Sequence, residues 1–217
     1  PSPAAPAAGT SSPRTSELGR LLLPVGIPNM PPVTVAEVKE HIAFLRAVHT
    51  SSSRGGEDSL LVDSARLRRA VRAYLLWLAF HAAKAADGGT VLVRRAPPLD
   101  LAWIWHVHRL APRAYARACA ALGAFVAPAP GFGFAASDSA DALVAFADGE
   151  DTEDALVAAA IRHAGFLWQV SGAAYNDDAF LSRAITRYEH FASLKASAKG
   201  GLAPPVDVDL AWHTHML

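Results

Sequence analysis

The 217-residue chain has one cysteine, Cys119, and little charge of either sign. A lone thiol can form no internal disulfide and no multi-cysteine zinc site, and such sparing use of cysteine fits a reducing compartment. Twenty basic and twenty acidic residues leave a formal net charge of zero, so the footprint of a nucleic-acid or acidic-lipid binder is missing. Long apolar runs are missing too. The most apolar stretch, residues 74–80, is bracketed by Arg72 and Lys84 and falls far short of the roughly 20 residues a membrane span needs. The chain is therefore expected to be soluble, in the cytoplasm or, as the second choice, the nucleus. At 52% hydrophobic and 18% charged it is too apolar for general disorder and long enough to bury a core, as one domain or two small ones.

What is present is a repeated signature. Residues 97–110, PPLDLAWIWHVHRL, return without a gap at 204–217 as PPVDVDLAWHTHML, keeping Pro-Pro, Asp, Trp-His, the next His and the final Leu. Two further blocks match: 41–48 (HIAFLRAV) with 163–170 (HAGFLWQV), and 67–74 (LRRAVRAY) with 181–188 (LSRAITRY). The offset between copies shrinks from 122 residues to 114 and then to 107, so the length differences fall between the blocks, where loops belong. This predicts an all-α protein made of two tandem copies of one unit: a helix, a long helix, and a Trp-His-x-His helix. Repeat 1 is placed at about 34–123, a linker at about 124–150, and repeat 2 at about 151–217, cut short by the end of the sequence.

Residues 1–33 read as a disordered or extended lead-in, rich in Pro, Ala, Ser and Thr with no acid before Glu17. The same acid-poor, Arg-containing segment also fits the tail of a transit peptide. Because the sequence opens on Pro1 and stops inside its second signature, both ends are expected to be fragment boundaries. Thr34 and Glu37 form a capping box for a first helix to about Val48, with His41 on or beside its apolar stripe. Asp63 or Ser64 starts a second helix that ends near Gly88-Gly89. Asp100 is expected to cap the third, and Pro112 to break it. Thr90 to Val93 reads as a strand-like turn at most, and 125–139, Pro- and Gly-rich, as linker. The acids between Asp148 and Asp154 precede a helix to Val170, and Asn176 is expected to cap the next. The arginines 66, 68, 69 and 72 are read as a solvated basic face, with an anion site as the second reading.

The spacing of the signature constrains its chemistry. At about 100° per residue, Leu99, Trp103, His106 and Leu110 share one stripe, and Leu101, Trp105 and His108 the opposite one. The second copy repeats this with Val206, Leu210, His213 and Leu217 against Val208, Trp212 and His215. A helix apolar on two sides is sandwiched between neighbours. The two histidines of each pair point about 200° apart and cannot chelate one ion from a helix. A metal would therefore draw one histidine from each copy, His106 with His213 or His108 with His215. His41 and His163 would be further ligands for zinc, which takes three or four donors at about 2.0–2.1 Å. The plainer expectation is that these are buried neutral rings hydrogen-bonded within the core, with the tryptophans packed around them. Acid–base catalysis is a third reading. No His-Glu-x-x-His motif occurs, and Cys119 reads as a buried, inert thiol.

Taken together, residues 97–119 (PPLDLAWIWHVHRLAPRAYARAC), the FLWQVS and YNDDAFLSRAITRYEHF segments, and the second signature closely resemble the N-terminal domain of the glycine-rich domain-containing protein (GRDP-like) family. The likeness runs from about Val35 to Leu217. It implies an all-helical domain without established catalytic activity, which in plant members precedes an RNA-binding stretch and a glycine-rich tail and is linked to development and stress responses. By position, the family signature falls on Asp100, Trp105, His106, His108, Pro112, Tyr115 and Cys119, and on Asp207, Trp212, His213 and His215. This segment has no glycine-rich tail, so RNA binding is not assigned to it. The expected function is a non-catalytic regulatory or scaffold module with a protein partner and no cofactor, and with no catalytic residues. The alternative is a metal-binding domain or metal-dependent enzyme that uses zinc or iron at the repeat interface.

Overall fold

The computed structural model describes residues 32–85, 88–129, 150–198 and 201–217. The lead-in before residue 32 and most of the expected linker lie outside them. Within the described residues the fold is all-α apart from one short strand pair. Its helices are α1 (Val35–Ser51), α2 (Ala65–Ala82), α3 (Leu99–Arg109), α4 (Pro112–Ala121), α5 (Glu150–Gln169), α6 (Asp178–Ser197) and α7 (Val206–Met216). Strands β1 (Thr90–Val93) and β2 (Phe125–Pro128) pair in parallel, Val91 opposite Val126. A parallel pair needs a long crossover, here α3 and α4. Gly88 and Gly123 sit at the base of this unit with φ of 71° and 79°, and a Cβ on Gly88 would meet the Gly123 carbonyl at 3.1 Å.

Local chemistry sets most boundaries. Thr34 and Glu37 close the capping box of α1, the Glu37 N–H donating to Thr34 Oγ1 at 3.2 Å and the Thr34 N–H to Glu37 Oε2 at 2.8 Å. Ser64 caps α2, accepting from Leu67 N–H at 3.0 Å. Pro112 ends α3 and opens α4 at its first turn, where its missing N–H costs nothing.

Four expectations need correcting. Asp100 caps nothing: Pro98 stands at the N-cap of α3, and Asp100, inside the first turn, instead receives Arg66 through Nε–Oδ2 at 3.0 Å and Nη2–Oδ1 at 2.6 Å. Asp177 rather than Asn176 caps α6, its carboxylate accepting from Ala179 N–H at 2.8 Å, while Asn176 accepts from Arg46. Residues 125–128 are strand β2 rather than linker, buried at Val126 against α2 and α4. The arginine face of α2 is mostly paired rather than solvated. Arg68 meets Asp63 and Asp154, and Arg72 meets Glu153, tying α2 to the acidic start of α5.

The core is built across the two halves. Helix α2 packs on α3 and α6 on α7, as neighbours in sequence. Helix α1, by contrast, lies against α6 and α7, and α5 against α2 and α3. Eight consecutive residues of α3, Leu101 to His108, are buried, which is what a helix apolar on both sides requires. Trp103, Ile104, Tyr74 and Leu210 are among the fully buried side chains.

Candidate functional site

The two sides of each signature helix do different things. On one side of α3, His108 stands in the T-shaped angle between Tyr74 and Tyr115, and Tyr74 donates its hydroxyl to His108 Nδ1 at 2.9 Å. Trp105 beside it donates from Nε1 to the Tyr115 hydroxyl at 2.9 Å, and Tyr115 donates on to the Val126 carbonyl of β2. Arg109 lies over the Trp105 ring; burial lowers it to about 10, so it keeps its charge at neutral pH. On α7, Tyr188 makes the same contact with His215 Nδ1, at 2.6 Å. Asp207 pairs with Arg187. The fully buried Cys119 is pushed up by desolvation, away from the reactive thiolate.

The opposite sides of the same helices converge. His41 of α1, His106 of α3, His163 of α5 and His213 of α7 form a chain of rings, with centroids 5.0 Å apart for His41 and His106, 5.3 Å for His106 and His163, and 5.2 Å for His163 and His213. Trp103 stacks on His106 at 5.4 Å and also touches His163, and Phe44 and Phe166 complete the apolar wall. Desolvation by burial is the leading cause that holds all four below the usual histidine range, His163 at about 3 and His213 at about 4; mutual repulsion between protonated rings adds to it for His41, His106 and His163. The rings are therefore neutral at physiological pH.

Neutrality fixes the protons on part of this chain. Thr214 donates its single hydroxyl hydrogen to the Leu210 carbonyl at 2.8 Å, so its oxygen accepts from His41 Nδ1–H at 2.9 Å. His41 Nε2 is then an acceptor, and the 2.8 Å contact to His106 Nε2 requires the His106 nitrogen to donate. That leaves His106 Nδ1 as a bare lone pair, buried and without a hydrogen-bond partner. His213 directs Nε2 at Asp209 Oδ1, 3.4 Å away, and its Nδ1 is likewise buried and unpartnered, as is His163 Nε2. Burial raises Asp209 to about 6.

The structure thus gathers His41, His106, His163 and His213 and separates His108 from His215, each of which faces a tyrosine of its own half. The pairing of His108 with His215 considered for a metal is not found. Sequence reasoning passed over Asp209 and Thr214 as participants. Asp209 had a detectable signal, four residues before a histidine and so on its face of the helix. Thr214 had none, since the matching residue of the first copy is Val107. Among the surface clefts, one of about 510 Å³ is lined by Ser51, Arg54, Asp58, Arg66, Arg69 and Asp100, and another of about 280 Å³ lies beside Arg109, Tyr115 and Met216. No histidine of the cluster lines either.

This defines a class, an all-helical domain whose Trp-His helices are buried on both sides. Residues 134–217 match the family described as glycine-rich domain-containing protein-like. Glycine-rich domain-containing protein 2 of Arabidopsis thaliana is 31% identical, the match covering 84% of this chain and 26% of that protein. Glycine-rich domain-containing protein 1 of the same plant is 29% identical, with the same shares. The match to the glycine-rich domain-containing protein-like family lies in residues 134–217, and the chain spans about a quarter of the length of these relatives. The family match falls on the C-terminal part of the chain rather than on all of 35–217. No solved structure matches it. Among the described residues no helix is long and apolar enough to cross a membrane.

Proposed function

We propose that this domain is a non-catalytic interaction module of a longer protein, with the two Trp-His helices as the keystone that holds it together. The observation that carries this reading is the inward use of the signature. Asp100, Trp105, His108 and Tyr115 bind Arg66, Tyr115, Tyr74 and a β2 carbonyl, and Asp207 and His215 bind Arg187 and Tyr188. A catalytic signature instead directs its groups to a place a substrate can reach. His41 and His106 are buried, and desolvation holds all four cluster rings neutral. The ligand of such a module is another polypeptide, met in the cytoplasm, and the resemblance to plant members links it to development and stress.

The test is chemical crosslinking in cells that express the full-length protein, comparing the native domain with a Trp103→Ala variant whose core is broken. Crosslinks from this domain to a defined second polypeptide, lost in the variant, are expected. The same partners with the domain folded or unfolded would overturn the reading.

A further inference from the structure

We propose that His106, His163 and His213 form a transition-metal site that takes one borderline divalent cation of the zinc class on His106 Nδ1, His163 Nε2 and His213 Nδ1. The inference is independent of the interaction reading. It starts from those three nitrogens, all buried and all without a hydrogen-bond partner. Buried polar atoms in folded proteins nearly always find one, so three in a single cluster call for a ligand. The proton relay from the Leu210 carbonyl through Thr214 and His41 leaves His106 Nδ1 as an acceptor only. His213 Nε2 lies 3.4 Å from Asp209 Oδ1, on the ring edge opposite its unpartnered Nδ1. A single water carries hydrogens for two acceptors, whereas one cation satisfies three lone pairs.

The donor set suits the ion. Neutral imidazoles on three different helices, without thiolates, are borderline ligands of the kind zinc, copper, nickel and iron accept. The surroundings have the form of an outer shell. Asp209 stands behind His213 as a carboxylate behind a ligand histidine, His41 and Thr214 stand behind His106, and Trp103 and Phe166 keep the place apolar. Among the described residues no three His, Cys, Asp or Glu groups stand together at coordinating distance. Binding therefore turns the rings inward about their side-chain bonds until nitrogen and metal are about 2.0–2.1 Å apart. The three nitrogens lose no hydrogen bond in that turn, and the 2.8 Å contact of His106 Nε2 with His41 is the one that the turn must carry along.

The probe is Co²⁺ added to the full chain, purified without chelator and stripped of metal, followed by the visible ligand-field spectrum, with zinc competition and elemental analysis of the unstripped protein. One equivalent should produce a tetrahedral band and raise the melting temperature, and one equivalent of zinc should abolish the band. The band should vanish in His163→Ala, a replacement at a partly accessible ring, while the surface variant His49→Ala keeps it. Asp209→Asn, which leaves all three ligands, should lower affinity about 10- to 100-fold. If His163→Ala does not fold, Asp209→Asn alone decides. Absence of a stoichiometric band, or a band unchanged in His163→Ala or Asp209→Asn, overturns the proposal.

Discussion

The half containing α1–α3 and the half containing α5–α7 make the same contacts with different completeness. Trp105 lies against Trp77 and under Arg109, and Trp212, at the matching position, lies against Phe191 and under Lys195. Tyr74 holds His108 as Tyr188 holds His215. The first half then adds α4, where Tyr115 takes the Trp105 N–H and the Ala114 backbone meets His108. In the second half Trp212 Nε1 and His215 Nε2 are buried and unpartnered. The comparison sorts the unpartnered atoms into two kinds. Those two have counterparts satisfied elsewhere in the molecule. His106 Nδ1, in the histidine cluster, is unpartnered within the first half itself. The packing is crossed, with α1 on α6 and α7 and α5 on α2 and α3.

Acid should act on both halves at once, and with the largest effect. Each cluster histidine has a folded pKa below its unfolded value near 6.5, so the unfolded chain takes up protons first as pH falls. Stability is thus full above about pH 6.5 and is lost down to about pH 4 for His108 and His213 and about pH 3 for His163. At about 1.4 kcal/mol per pH unit for each ring, the metal-free domain should unfold cooperatively between pH 6 and 5. Chemical denaturation across this range checks it, and unchanged stability at pH 5 would contradict the enclosure of the rings.

Core truncation comes next. Trp103→Ala should cost about 3–5 kcal/mol, since the fully buried ring stacks on His106 and touches His163. Leu210→Ala at the matching place of α7 should cost about 2–5 kcal/mol. A loss below about 1 kcal/mol at Leu210 in urea unfolding would break the equivalence of the two seats.

What could be read from the sequence followed from local rules and from the matching sequence blocks. The capping box at Thr34 and Glu37, the break at Pro112 and the 200° divergence of each histidine pair depend only on neighbouring residues, and all three are seen. That divergence left two pairings open, His106 with His213 or His108 with His215, and the structure gathers the first with the matched His41 and His163. The rest depends on partners distant in sequence. Asp100 has the right residue type and place for a cap, yet Arg66, 34 residues away, offers a bidentate charge that a backbone N–H cannot match. The strand β2 has four residues and a proline, too short for an alternating pattern, and exists because β1 lies alongside. The Thr214 contact to His41 joins residues 173 apart and leaves no mark on either copy.

The tyrosine–histidine pairs give a smaller and more discriminating effect. Tyr74→Phe leaves a buried His108 Nδ1 without its donor and should cost about 1–3 kcal/mol. Tyr188→Phe should cost less than about 1 kcal/mol, because His215 is less enclosed and water can replace the hydroxyl. Equal losses in thermal unfolding would show that the second pair is as closed as the first.

The smallest effect separates the two acidic residues of the signature. Asp100 and Asp207 occupy matching places, but their arginines reach them from different helices, Arg66 on α2 and Arg187 on α6. Arg66 also donates to the carbonyls of Ser51 and Asp58 at 2.8 and 2.9 Å, so one guanidinium holds the end of α1, the following loop and the start of α3. Its side chain is 21% exposed against 46% for Arg187, so less of its attraction is screened by water. A double-mutant cycle should return a coupling of about 1 kcal/mol for Arg66 with Asp100 and about half that for Arg187 with Asp207. High salt should erase more of the second than of the first, since screening acts on the more exposed pair. Arg66→Ala alone should cost more than Asp100→Ala, because it also strips two carbonyls of their donor.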